Sequence, residues 1–212
     1  MQELSLNVLD IAQNAVRAEA TEIQITVSEN LIRDLLTIVI ADNGCGMTPE
    51  QVRRVTDPFY TTRTTRKVGL GVPFFKMAAE MAGGTFSIVS QPGIGTTVTA
   101  TFQRSHIDRM PLGDMPQTIC CLMCMNEAIN FVYTYQFNEK VFTVSSAELK
   151  AVLDGVPLSN PQVMQFINEF FQRIHMFLQK FVEVLSILQA SGHRPLHAVC
   201  LSSELLSGDE TP

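Results

Sequence analysis

The chain has 212 residues, 46% hydrophobic and 17% charged, with a formal net charge of −6, which is enough for one full domain and a smaller appendage and excludes a disordered chain. No apolar run reaches the roughly 20 residues of a membrane span, and the cations are scattered except for Arg63, Arg66 and Lys67, which excludes a broad nucleic-acid face. The chain opens on an amphipathic helix without the features of a signal peptide, and its five cysteines, an odd number, read as free thiols of a reducing compartment, so a cytoplasmic location is expected.

Residues 4–17 carry Leu4, Leu6, Val8, Leu9, Ile11, Ala12, Ala15 and Val16 at helical spacing, which leaves Asp10, Asn14 and Arg17 on a shared side about one turn apart. Residues 22–29 alternate through Ile23, Ile25 and Val27, and 35–41 is an apolar run; the two read as neighbouring strands. Pro49 opens a short helix to Val55 with Thr48 as its N-cap. A loop at 61–68 precedes a helix over 73–81 that Gly83 and Gly84 stop, and a hairpin follows, with strands at 85–90 and 96–103 around a turn at 91–95. Pro-bearing residues 110–116 then break the pattern. Beyond them the chain reads as a helix over 117–125, a hairpin over 129–144, a helix over 147–153 and a long helix over 161–190. The expected division is an α/β domain at 1–104, a linker at 105–116, a small helix–hairpin–helix unit at 117–190 and a flexible tail at 191–212.

The residues that carry chemistry lie mostly in the first half. Asp42 ends an apolar strand and is followed by Asn43, Gly44, Cys45, Gly46 and Met47. Its carboxylate would accept a charge-assisted hydrogen bond in a shielded pocket, the glycines would let a ligand approach without a Cβ, and Met47 would cover it with an adaptable apolar side chain. The loop from Asp57 to Val72 combines Phe59 and Tyr60, the hydroxyls of Thr61 and Thr62, the cations Arg63, Arg66 and Lys67, and hinges at Gly69 and Gly71 around Leu70. Backbone amides at the start of the following helix suit phosphate oxygens. There is no P-loop lysine motif, so a P-loop NTPase is excluded.

Taken in order, the segments at 10–18, 42–47, 57–63, 69–71 and 93–97 resemble the GHKL superfamily, the gyrase, Hsp90, histidine-kinase and MutL ATPases. The resemblance covers roughly residues 1–104. It implies a two-layer α/β sandwich of the histidine-kinase-like ATP-binding type, followed here by a smaller α+β domain with a long C-terminal helix. It also implies ATP and Mg²⁺ as ligands: Asp42 on the adenine amino group, Thr97 near the adenine, Asn14 as the metal-binding asparagine, Arg17 against the phosphates, and the 57–72 loop as the lid. Asp10 stands where hydrolysing members carry the glutamate that activates water, and is shorter by one methylene. Lys67 stands where the second glycine box has a further glycine. Three functions fit: phosphotransfer to a separate protein, as in histidine kinases or anti-sigma serine kinases; an ATP-hydrolysing clamp, as in MutL or Hsp90; or a nucleotide-dependent interaction module without turnover.

The second half offers weaker signals. His106, with Asp108, Arg109, Pro111 and Leu112 after it, resembles the phosphoacceptor box of sensor kinases, with the acid one residue late; the bland reading is a linker histidine. Cys120, Cys121 and Cys124, and separately His193, His197 and Cys200, invite a tetrahedral metal, but the first trio sits in an apolar helix and reads as buried thiols. The wide apolar arc of the long helix, from Val163 to Leu188, is expected to cover the hairpin and to leave a surface for a regulatory protein partner or a second copy.

Overall fold

The computed structural model describes residues 3–57 and 70–190, with side chains as far as residue 180. Its elements in chain order are α1 (Leu4–Arg17), β1 (Glu22–Asn30), β2 (Leu35–Asp42), α2 (Pro49–Thr56), α3 (Gly71–Met81), β3 (Phe86–Gln91) and β4 (Gly95–Gln103). The second half adds α4 (Met115–Met125), β5 (Asn130–Phe137), β6 (Lys140–Ser145), α5 (Ser146–Val152) and α6 (Pro161–Ala190). The α/β fold class expected from the sequence is what the structure has.

Local chemistry sets the boundaries. The Thr48 hydroxyl accepts from the Gln51 N–H and the Gln51 side chain returns to the Thr48 N–H, a capping box that starts α2. Ser145 and Glu148 repeat the device at α5. At the other end of α3, Gly83 has φ +66° and the Gly84 N–H donates to the Ala79 carbonyl at 2.9 Å, so a residue free to adopt a left-handed conformation ends the helix.

The strands form one sheet in the order β3-β4-β2-β1-β5-β6. Strand alternation sends every second residue to one face. On the helix-covered face, Ile88, Val98, Ile40, Ile25, Tyr133 and Val144 stand opposite one another in a single row across all six strands. Leu4, Val8, Ile11 and Ala12 of α1, Phe75 and Ala79 of α3, and Ile119 and Met123 of α4 are buried in the same core. That gives two layers, helices on sheet.

At the expected linker the observed structure is continuous. After β4 the chain passes through α4 and returns as β5, which pairs in parallel with β1 from Glu22 opposite Asn130 to Glu29 opposite Phe137. A single buried cluster includes residues from Leu4 to Leu178. Residues 111–112 also satisfy the open end of the first helix: the Leu4 N–H donates to the Pro111 carbonyl at 3.0 Å and the Ser5 N–H to the Leu112 carbonyl at 2.9 Å. The small helix–hairpin–helix expected at 117–190 thus extends the first unit's sheet, and the stretch expected as a linker caps its first helix. Among the described residues no helix is long and apolar enough to cross a membrane.

Candidate functional site: a cavity between α1 and the sheet

Toward one end of the helix-facing side of the sheet the row reads Ser90, Thr96, Asp42, Ile23 and Phe131. Three polar side chains therefore share the face against which α1 packs. Across from them α1 presents Asn14 and Arg17, and between lies a cavity of about 220 Å³. Asn14, Arg17, Asp42, Cys45, Gly46, Met47 and Thr96 line it together with the apolar groups Ile11, Ala15, Val55, Val72, Ile88 and Val98. A flat apolar ring can stack between such walls while its polar edge meets a few fixed groups.

The Asp42 carboxylate is held by its own turn. Its Oδ1 accepts from the Gly44 N–H at 2.9 Å. Burial pushes its pKa above the ordinary carboxylate value, and the Gly44 and Thr96 N–H groups pull partly the other way. Next to it, Asn43 fastens the turn to β1: its Oδ1 accepts from the N–H groups of Thr21 and Glu22, each at 2.9 Å, and its Nδ2 donates to the Thr21 hydroxyl at 2.8 Å. Gly46 has φ +65°, and a Cβ there would overlap the Gln91 carbonyl, so the loop 42–47 closes over the 91–95 turn only with glycine at this position. The Gly93 N–H donates to the Cys45 carbonyl at 2.8 Å and the Met47 N–H to Ser90 Oγ at 2.8 Å, which joins the two loops. A Cβ on Gly44 would stand 2.7 Å from the Ala18 carbonyl oxygen, so this glycine lets the loop close against the end of α1.

On α1, the Arg17 guanidinium donates to Asn14 Oδ1 at 3.1 Å. Asp10, one turn earlier and half-buried, stands beside the first residue of α3: a Cβ on Gly71 would lie 2.7 Å from the Asp10 Cβ. Among the described residues Asp10 is not on the cavity wall, whereas Asn14 and Arg17 are. The preceding Leu70 offers no side-chain cap, which leaves the first N–H groups of α3 to other acceptors. Leu70 is exposed and Gly71 buried.

Strand alternation separates Thr96 from Thr97. Thr97 pairs with Ala41 and Val89 and so belongs to the opposite face of the sheet; Thr96 lines the cavity and shares a 2.8 Å hydrogen bond with the Ser90 hydroxyl. Counting by twos back from buried Val98 identifies Thr96 without coordinates. Cys45 lines the cavity yet remains exposed. The lid residues Phe59, Thr61, Thr62, Arg63, Lys67 and Gly69 lie outside the described residues, as does the 191–212 tail. His106 follows the far end of β4, seven residues beyond Thr96 at Gln103, or about 23 Å along the strand at ~3.3 Å per residue.

The family model for histidine kinase-, DNA gyrase B- and HSP90-like ATPases matches residues 2–106. Residues 2–106 are a GHKL-type ATPase domain. The ATPase domain is similar to the histidine protein kinase DivJ of Caulobacter vibrioides, with 33% identity over 96 residues that cover 43% of this chain and 16% of that protein. It is also similar to the sensor protein SrrB of Staphylococcus aureus, with 36% identity over 102 residues, 46% of this chain and 17% of that protein. The chain thus spans less than a fifth of either relative's length. A crystal structure of the N-terminal domain of a DNA repair protein superposes with a TM-score of 0.48 and 16% identity, covering 68% of this chain and 52% of that one.

Proposed function

We propose that the cavity binds ATP with Mg²⁺ and that the chain is a regulatory protein that passes the γ-phosphoryl group to a separate protein. The observation that carries this reading is the placement of Asp42 and Thr96 on one wall and Asn14 and Arg17 on the other, within a GHKL-type domain. The partly desolvated Asp42 carboxylate suits the adenine amino group, and the apolar walls suit the ring. Asn14 supplies an amide oxygen for Mg²⁺, which needs few protein ligands because it keeps waters and phosphate oxygens. Arg17 and the N–H groups that open α3, which the Leu70 side chain does not cap, suit phosphate oxygens. When bound, the metal would offset the charge that develops on the transferring group.

Transfer to a separate acceptor is favoured over transfer to His106 because that histidine sits at the other end of β4. Asp10 beside Gly71 is the candidate base, one turn from Asn14. A partner would reach the second half, where α6 leaves Phe166 68% and Met176 47% exposed; self-association through the same helix is the alternative. The reading carries a cytoplasmic location with it, where ATP is available.

Incubation with γ-labelled ATP and Mg²⁺, alone and with cell lysate, tests the proposal, with Asn14→Ala as control. Label that appears on a second protein and is lost in the variant is the expected result. Free phosphate would point instead to a hydrolysing clamp, and binding without either product to an interaction module. Absence of nucleotide binding in the wild-type chain sinks all three.

A further inference from the structure

The nucleotide reading uses only the helix-covered face of the sheet. The other face carries a middle row of Ser87, Thr99, Val39, Thr26, Thr134 and Thr143, one from each strand and in register across the whole sheet. A further row runs on either side of it, from Val89 to Val132 and from Thr101 to Val141. None of these side chains is buried, and Val89 and Val141, on the two outer strands, are 72% and 57% exposed. None is charged either: all 15 Lys and Arg and all 21 Asp and Glu of the chain lie elsewhere. A soluble surface is ordinarily about 25–35% charged, so a patch of this extent would hold several charges by default.

Hydroxyls of this face also partner one another. Those of Thr134 and Thr143 share a hydrogen bond at 3.1 Å, and those of Thr101 and Thr85 share one at 2.8 Å. A polar group bonded sideways within its own sheet costs less to remove from water than one left to find a partner across an interface.

We propose that two copies of the chain pair through this face, sheet against sheet. Charge decides the occupant. Nucleic acid, an anionic membrane or an acidic protein would need cations here, and a basic protein would need acids; a face with neither matches its own copy. For two molecules of net charge −6, it is also a contact that sets no like charges opposite one another, the arrangement that suppresses pairing elsewhere. The extent is sufficient. Six strands about 4.8 Å apart, covered over about 20 Å of their length, give a footprint of roughly 580 Å² per copy, or about 1,150 Å² in the pair, above the ~1,000 Å² of a specific interface. Packed sheets lie about 10 Å apart with strands aligned to within about 30°, and a two-fold pair uses the same patch on both copies. Because β2 and β1 are the central strands, the axis passes beside the Val39–Thr26 pair.

The test is sedimentation of the full-length chain over a concentration series. The wild type should form a reversible dimer in the tens of micromolar. Thr26→Glu, which sets two new like charges together near the axis, should weaken it about 100-fold or more, while Phe166→Glu on α6 should leave it unchanged. Thr26 is partly exposed in the single chain, so the variant should keep the wild-type circular dichroism. In the wild type itself, the methyl resonances of Thr26, Thr99 and Thr134 should lose access to a soluble paramagnetic probe as concentration rises. A wild type that stays monomeric, as it would with residues 191–212 or another protein on this face, would overturn the proposal. So would methyl groups that stay accessible in the dimer, a dimer that survives Thr26→Glu, or one that Phe166→Glu abolishes. Each of these outcomes leaves nucleotide binding at Asp42 to its own test.

Discussion

At the scale of single residues, Asp42 and its neighbour Asn43 have different roles that substitution separates. Burial raises the folded-state pKa of Asp42 above its usual 3.8, so the folded chain holds this proton more tightly than the unfolded one. The resulting stability is complete below the unfolded pKa and is lost as pH rises through the folded value, so at neutral pH ionised Asp42 is a cost to the fold. Asp42→Asn should therefore leave the ligand-free melting temperature unchanged or slightly higher. It should weaken ATP binding about 10- to 100-fold, the effect of losing a charge-assisted hydrogen bond; scanning calorimetry and isothermal titration read the two effects separately. Asn43→Ala should do the reverse. It removes three hydrogen bonds to Thr21 and Glu22, at a cost of about 1–3 kcal/mol in urea unfolding, while the groups that would touch nucleotide remain. Asp42 was legible in the sequence because an acid ending an apolar strand and followed by glycines has few structural excuses. Asn43 was not, because its partners lie 21 and 22 residues away and nothing local announces them.

At the scale of elements, the parallel pairing of β5 with β1 is the feature with the largest consequence. Ending the chain after residue 106, where the family match stops, would expose the whole β1 edge. It would also remove the carbonyls that accept from Leu4 and Ser5 and leave Glu29, 8% exposed, without the Tyr135 hydroxyl that donates to it at 2.9 Å. An unpaired edge of this length is an aggregation template, so residues 1–106 alone should be largely insoluble or melt without cooperativity; a soluble fragment melting like the full chain would contradict the pairing. The elements themselves were readable. The helix over 4–17 and the long helix over 161–190 match α1 and α6 as observed, because hydrophobic period and caps are local signals. The joining of β5 to β1 was not readable, since a proline-rich stretch looks the same whether it links two units or turns a chain back onto its own sheet.

The contact of α6 with that sheet adds a pH dependence. His175 stacks on Tyr135 with ring centroids 3.8 Å apart and shares a 2.7 Å hydrogen bond with the Tyr133 hydroxyl. Burial pushes its pKa down to about 4, below an unfolded value near 6.5. The unfolded chain therefore takes up this proton first, and as pH falls from about 6.5 to 4 the fold loses at most roughly 3 kcal/mol through this group. His175→Phe keeps an aromatic ring over Tyr135 and cannot be protonated. Its stability should fall less steeply than the wild type's across that pH range, as followed by chemical denaturation at each pH.

At the scale of the molecule, the row Ile88, Val98, Ile40, Ile25, Tyr133 and Val144 runs through both halves of the chain, so neither half has a hydrophobic core of its own to keep if the other unfolds. Arg104, after β4, reinforces the connection: its Nε donates to Glu29 Oε2 at 3.0 Å, Glu29 accepts from Tyr135, and the Tyr135 hydroxyl accepts from Gln179 of α6 at 3.0 Å. The expected unfolding is therefore one transition. The chain has no Trp and three Tyr, two of which, Tyr133 and Tyr135, are fully buried in the second half, so tyrosine fluorescence reports there while far-ultraviolet circular dichroism reports on the whole. The two probes should give coincident denaturation curves. A ligand bound at Asp42 should move both together, by about 2.7 kcal/mol at a hundredfold excess over its Kd. If ATP shifted the dichroism curve and left the tyrosine curve in place, the halves would be energetically separate, and a partner on α6 would have no route through the fold by which to sense the nucleotide.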